Sequence, residues 1–363
     1  MSAASTRPVL VTGGAGFIGA NVSDRILAAG TPVIIYDNLS RPSVERNLAW
    51  LRERHGALVQ HAREDVRDRG ALAAAMRGVD RVFHFAAQVA VTTSLVDPIQ
   101  DFEVNARGTL NVLEAVRAQP VPPSLVYTST NKVYGALGDV TLVEGATRWH
   151  PADRTFAVHG VSELRPLDFH SPYGCSKGAA DAYVIDYARS FGLPALVFRM
   201  SCIYGPRQLG SEDQGWVAHF WRCALGRRPL TVYGDGKQVR DLLFVDDLVD
   251  ALLRAHERAS QLAGRAFNIG GGPASTLSLI ELLRRIDASI GRTPALTHEA
   301  PRTGDQRYYV SDTRAFQEAS GWRPRVGVTE GLARLGAWLD RLDCDVAVPV
   351  GGDAAVVAGE ARG

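Results

Sequence analysis

The sequence predicts a doubly wound α/β protein: a parallel sheet covered by helices on both faces, with a smaller, loop-rich C-terminal lobe beside it. Three observations predict this. Short runs that are apolar at almost every position read as strands buried on both faces: PVLVTG (8–13), PVIIYD (32–37), RVFHFAA (81–87), SLVYTS (124–129) and PALVFRM (194–200). Amphipathic stretches such as NVSDRILAAG (21–30) and VNARGTLNVLEAVRA (104–118) lie between them, and strands alternating with helices give a parallel sheet. The first run ends directly in a glycine-rich turn, VTGGAGFIG, that opens a helix.

Beyond residue 200 the pattern breaks into turns, YGPRQLG, YGDGKQVRD and NIGGGPAST, with helices returning at about 276–290 and 328–342. The stretch VRDLLFVDDLVDALLRA (239–255) reads as a strand and helix returning to the first domain, with Asp246 as a helix N-cap. The expected division is therefore a dinucleotide-binding (Rossmann) domain over 1–200, joined by about 239–258. A substrate-binding lobe follows over 201–238 and 259–342. The Gly/Ala-rich end, 343–363, has no periodicity and is expected to be a disordered tail.

The bulk numbers exclude several classes of function. Of 363 residues, 46% are hydrophobic and 22% charged, the balance of a chain that buries a full core. A net charge of +1 offers no bulk attraction to nucleic acid or to an acidic membrane, so neither is expected as a partner. The four cysteines form no CxxC pair, and neither they nor the nine histidines show metal-ligand spacing, so no metal is expected. His84, inside an apolar strand, reads as a core histidine. The start MSAASTRPVL has no signal-peptide apolar stretch and no run is long enough to span a bilayer, so the expected location is cytoplasmic.

The glycines of VTGGAGFIG, Gly13, Gly16 and Gly19, permit a tight turn and close approach of backbone to a pyrophosphate, whose charge then meets the positive end of the following helix. Phe17 and Ile18 complete that contact. Asp37 closes the second strand about 20 residues on, where a carboxylate accepts hydrogen bonds from the adenosine ribose and would repel a 2′-phosphate. The predicted cofactor is therefore NAD, with Asn38 beside Asp37. Asp65 and Val66 follow the expected third strand and are candidates for the adenine.

Lys132, Lys177 and Lys237 are the only lysines in the chain, and one of them stands four residues after Tyr173 in SPYGCSK. Ser171-Pro172 reads as an N-cap and first helical position, so Tyr173 and Lys177 share one helix face. A free tyrosine titrates at about 10, too high for a base near neutrality. A nearby ammonium and the positive charge of oxidised nicotinamide both favour the phenolate, which would make Tyr173 a general acid/base for alcohol–ketone interconversion.

Taken in order, TGGAGFIG, DNLS, HFAAQ, NARGT, TSTNKVYG, SPYGCSK, YGPRQ, RDLLFVDDL and NIGG resemble the extended short-chain dehydrogenase/reductase family, the NAD-dependent nucleotide-sugar epimerases and dehydratases, over roughly residues 8–340. The resemblance implies a triad of Thr130, Tyr173 and Lys177, with Asn105 as a supporting residue. It places Phe85, Ala86, Ala87 and Gln88 along the cofactor. It implies a nucleoside-diphosphate sugar as substrate, with Arg240 and Arg302 on the diphosphate, Arg207 as a further candidate, and Gln214 and Trp216 at the nucleotide. It also implies a homodimer or homotetramer, the dimer formed through two long helices at about 98–117 and 173–191.

In the family's dehydratases Asp-Glu follows the catalytic threonine, and its decarboxylating members carry a glutamate in the same stretch. Here Asn131 and Lys132 stand there, so elimination lacks its acid and epimerisation remains. Lys132 either touches the sugar or caps the strand. STNKVYG, the segment from LDFH to SFGL and DQGWV are similar to the CDP-sugar 2-epimerases. The 4-epimerases usually carry small residues after the threonine and an asparagine where this chain has Cys202. The resemblance thus favours a CDP-sugar inverted at carbon 2, over a UDP- or dTDP-hexose 4-epimerase and over an NAD-binding protein without catalysis.

Overall fold

The computed structural model describes residues 7–302 and 304–345. Seven strands form the central sheet: β1 (Val9–Thr12), β2 (Val33–Tyr36), β3 (Val59–Ala62), β4 (Arg81–His84), β5 (Ser124–Thr130), β6 (Ala195–Met200) and β7 (Ala266–Ile269). Their order is β3-β2-β1-β4-β5-β6-β7, and all pairs are parallel. The chain leaves β3 on one side of β1 and returns as β4 on the other. That makes the β1–β4 boundary the switch point, where such sheets bind ligands outside their carboxyl ends.

Side-chain alternation explains why the strands inside the edge strand β3 are largely apolar. Val9, Val11, Val33, Ile35, Phe83, Val126, Leu196 and Phe198 enter the core on one face, packed on α1 (Phe17–Ala28). Leu10, Tyr36, Val82, Leu125, Tyr127, Ala195 and Val197 enter the opposite core, packed on α2 (Gly108–Arg117) and α3 (Ser171–Phe191). A strand with a helical layer on each side has no solvent face to keep polar.

Two expectations on chain organisation are corrected. The strand Val239–Phe244 does not rejoin the large sheet; it pairs with Cys202–Tyr204, Thr276–Ser278 and Tyr308–Tyr309 in the small lobe. Only the helix after it, α4 (Val245–Glu257), returns, burying Leu248, Val249, Ala251 and Leu252 in the core shared with α1. Conversely β7, expected in the small lobe, is an edge strand of the large sheet. Backbone pairing is decided by neighbours far along the chain, which a local apolar run does not reveal. Asp246 is not the N-cap of α4, which is Phe244; it sits in the first turn and pairs with Arg334. The expected tail at 343–363 lies almost wholly outside the described residues; its first three residues close the helix Val328–Asp345.

Candidate active site

The glycine turn brings the ends of β1 and β4 together. Gly13 has φ +67°, and a Cβ on it would stand 2.7 Å from the Ala86 nitrogen. A Cβ on Gly19 would overlap the Gly13 carbonyl oxygen, so that glycine lets α1 start against the turn. Gly14, which the glycine spacing alone does not single out, is equally constrained: its Cβ would lie 2.8 Å from the Val11 oxygen and 3.0 Å from the Ile35 side chain. Its only signal in the sequence is the extra glycine in TGGAGFIG. Gly16 is the N-cap of α1, with no side-chain cap and no acidic residue in the first turn of Phe17, Ile18 and Gly19. The positive helix end is therefore left to an outside anion.

Asp37 is fixed against this turn: its carboxylate accepts from the Ala15 N–H at 3.0 Å and the Leu39 N–H at 2.9 Å. Asn38 donates to Asp65 at 2.9 Å, and the Arg67 guanidinium holds the Asp65 carboxyl below its ordinary range. Val66 is buried beneath them. A turn that excludes side chains, an uncapped helix end and a carboxylate closing β2 fit a dinucleotide's pyrophosphate and ribose.

After β4, Phe85 to Gln88 run along the carboxyl edge. Asn105 holds this segment: its Oδ1 accepts from the Gln88 N–H at 2.9 Å, and its Nδ2 faces the Gln88 carbonyl, Asp101 and the Ser176 hydroxyl, each at 3.1 Å. The backbone at Asn105 forms a π-helical turn, Glu103–Arg107, ahead of α2, where the sequence predicts ordinary helix from 104. Such turns recur at functional sites. The Gln88 side chain is occupied by the Ala90 backbone, at 2.8 and 2.9 Å. His84 is a satisfied core residue, as expected. The Thr12 hydroxyl lies 2.6 Å from its Nδ1 and the Thr109 hydroxyl 3.0 Å from its Nε2. Because Thr109 donates to the Asn105 carbonyl, it accepts from His84, which is therefore the neutral Nε2–H tautomer. Burial, with Lys177 nearby, pushes its pKa down to about 3.

Tyr173 and Lys177 lie on the buried face of α3, opposite the end of β5. The helix starts one residue earlier than expected, at Ser171 with His170 as its N-cap; the Ser171 hydroxyl accepts from the Gly174 N–H at 3.3 Å, and Ser171 is held at φ +66°. Ser94 receives the Tyr173 N–H at 3.2 Å. Burial pushes the Tyr173 phenol up to about 12, against the lowering effect of the Thr130 hydroxyl. Lys177 donates to the Thr128 carbonyl at 2.7 Å and lies 4.3 Å over the Tyr127 ring. Burial pushes its pKa down to about 7, against the attraction of Asp181 and Asp101. Asp181 is itself clamped by Arg199 through bonds of 2.8 and 3.0 Å.

On the other side of Thr130, Asn131 donates to Gln306 at 3.3 Å, and Lys132 reaches the Gly304 carbonyl at 3.0 Å and Asp305 at 3.5 Å. Arg240 meets the same carboxylate at 2.6 Å. Cys202 adjoins this group and accepts from the Trp216 indole N–H at 3.3 Å. Asp305 and Gln306 are site residues that the sequence motifs did not single out, although RTGDQR contains both. Gln214 and Ser211 pair through their backbones, which folds the loop before Trp216. Arg302 lies farther along that loop, on Glu212, on Asp213 at 3.5 Å and over the Tyr233 ring at 3.9 Å. The structure does not bring Arg207 to this group. Its guanidinium stacks on Trp50 at 3.7 Å, near Asp24 and Arg54, on the α1 side of the glycine turn.

The NAD dependent epimerase/dehydratase family model matches residues 9–270. The chain belongs to that family. It is an NAD-dependent nucleotide-sugar epimerase of the extended short-chain dehydrogenase/reductase type. It is 41% identical over 337 residues to CDP-paratose 2-epimerase of Salmonella typhi, covering 91% of this chain and 98% of that one. It is 34% identical over 325 residues to UDP-glucose 4-epimerase of Mycolicibacterium smegmatis, covering 90% and 96%. The UDP-glucose 4-epimerase of Thermus thermophilus, solved as a complex with NAD, superposes with a TM-score of 0.75 at 33% identity over 92% of this chain and 99% of that one. NAD is the cofactor of this epimerase. No helix among the described residues is long and apolar enough to cross a membrane, and they contain no cluster that could hold a metal ion.

Proposed function

We propose that this epimerase inverts carbon 2 of a CDP-linked sugar, the reaction named for its relative CDP-paratose 2-epimerase. One observation carries epimerisation over elimination: the residues after Thr130 are Asn131 and Lys132, engaged with Gln306 and Asp305, and neither is a carboxylic acid. The 41% identity supports the nucleotide and the carbon.

The hydrogen on carbon 2 has no neighbouring carbonyl and is not acidic, so direct deprotonation is unavailable. Oxidation to a 2-keto sugar, presentation of its other face and reduction invert the centre. When bound, NAD supplies a reversible acceptor for the carbon-2 hydride and, in its oxidised form, a positive charge that opposes the burial raising Tyr173. The glycine turn, α1, Asp37, Asn38, Asp65, Val66 and the Phe85–Gln88 segment would hold it. Tyr173 takes the proton of the carbon-2 hydroxyl and later returns it. Thr130 hydrogen-bonds the same oxygen, and Lys177 stabilises the phenolate and is the residue that would hold the nicotinamide ribose. We place the reaction in the cytoplasm and the enzyme in a homodimer or homotetramer, with the helical face that exposes Ile99, Phe102 and Phe191 between protomers.

The test is proton NMR of the purified protein with CDP-paratose and no added NAD. Conversion to CDP-tyvelose at the carbon-2 proton is expected. An unchanged spectrum from NAD-containing protein overturns the substrate assignment. Similarity to UDP-glucose 4-epimerases favours a UDP-hexose inverted at carbon 4 as the second reading.

A further inference from the structure

Asp101 is a buried carboxylate held only by neutral donors. It lies in the short helix Pro98–Phe102, just ahead of the π-helical turn, and no part of it reaches solvent. Its Oδ1 accepts from the Asn105 amide at 3.1 Å, and its Oδ2 accepts from the Ser176 hydroxyl. Asn105 and Ser176 are buried too, with the Asn105 Nδ2 at 3.1 Å from the Ser176 oxygen. Two accepting oxygens are the pattern of an ionised carboxyl. Burying that charge without an opposite one nearby is costly.

Lys177, the residue after Ser176, is the cation that answers it. The Lys177 ammonium donates to the neutral Thr128 carbonyl at 2.7 Å and lies over the Tyr127 ring, and among the described residues neither it nor Asp101 is in a direct ion pair. The other charges around them are already matched. Asp181, one turn along α3, is clamped by Arg199 at 2.8 and 3.0 Å. Glu103 holds Arg107 at 2.9 Å, Asp97 caps its helix through the Gln100 N–H at 2.9 Å, and His84 is neutral. Burial raises the Asp101 pKa, and Ser176 and Lys177 oppose that; burial lowers Lys177, and Asp181 and Asp101 oppose that. We propose that Asp101 is a positioning residue of this epimerase: fixed by Asn105 and Ser176, it keeps Lys177 as an ammonium beside Tyr173. Because Asn105 also holds Gln88, the carboxylate is tied to the segment along the cofactor as well as to the catalytic helix. This inference rests on the roles proposed above for Tyr173 and Lys177. Its test needs no sugar, so it fails separately from the carbon-2 assignment.

The chain has only three lysines, so each can be followed by itself. NMR of the NAD-bound protein with isotope-labelled lysine side chains reads their titrations, and Lys177→Arg assigns the Lys177 signal. Asp101→Asn removes the charge and keeps the shape. Its amide oxygen can accept from Asn105 and its nitrogen can donate to the Ser176 oxygen, whose hydroxyl then turns to the Tyr173 carbonyl at 3.2 Å. In that variant Lys177 should titrate lower by about one pH unit or more, as expected for loss of a nearby opposite charge. Lys132 and Lys237 should titrate as in the parent. A Lys177 titration that stays in place or rises at parental NAD content overturns the proposal, as does equal movement of all three lysines. If Asp101→Asn loses NAD, Asp101→Ser is read in the same way. Loss of NAD from both variants makes the carboxylate a structural group and also overturns the proposal.

Discussion

At the scale of single residues, the site works by placing titratable groups where water cannot stabilise their charge. Tyr173 and Lys177 are both buried, and burial moves both toward their neutral forms. Tyr173→Phe removes the phenol proposed to exchange the proton with the sugar hydroxyl while preserving the ring's packing. Turnover should fall by about 10²–10⁴-fold or more, with NAD still bound, in a steady-state assay paired with cofactor content. Full activity in that variant would refute the proton-transfer role. Lys177 makes a prediction about stability. Its folded pKa of about 7 lies below the value of about 10.4 of an unfolded lysine. Below pH 7 both states hold the proton and the burial cost is fully present. Between these values the unfolded chain binds the proton that the folded chain releases, so stability rises with pH through that window. Lys177→Met should therefore be inactive yet more stable near pH 7, by on the order of 1 kcal/mol or more. That gap should narrow toward pH 10 in thermal melts at equal NAD content. A gap independent of pH would show that the lysine is charged in the fold at no cost.

At the scale of elements, two features were differently legible. The strand–glycine–helix unit is a local pattern, and its constraints are also local or between adjacent strands, so it could be read directly. Gly13→Ala meets both a positive φ and the Ala86 backbone. It should cost about 1–3 kcal/mol and release NAD, seen as loss of cofactor absorbance from the purified protein. A variant that retains its full cofactor would contradict the assigned role of the turn. The π-helical turn at Asn105 was not legible, because VNARGT has the periodicity of an ordinary helix. What opens that turn is tertiary: Asn105 spans Gln88, Asp101 and Ser176, which lie on three separate segments.

At the scale of the whole molecule, the helices from Val91 to Phe102 and α3 leave Val96 86%, Ile99 75% and Phe102 53% exposed, with Tyr183 and Phe191 also exposed on α3. Scattered apolar residues on a surface are ordinary, but several on adjacent helices form a face that a second protomer would cover. If the proposed dimer or tetramer forms through this face, Ile99→Asp combined with Phe102→Asp should give a monomer in light scattering, with NAD still bound. An oligomer of unchanged size would place the interface elsewhere.

The sequence by itself determined the parallel sheet, the dinucleotide turn and the Tyr173–Lys177 pair. Each is written in a span of a few residues: an apolar run, a glycine spacing, an i and i+4 relation on one helix. The tertiary structure alone decided what those spans meet. Lys132 acquires its partner 173 residues away, and Arg240 shares it across 65. Arg207, chosen from the same kind of local motif, stacks instead on Trp50. The strand Val239–Phe244 belongs to the small lobe while its helix belongs to the large one. Charge balance and strand pairing depend on which distant groups share a volume, and only packing of the complete chain decides that.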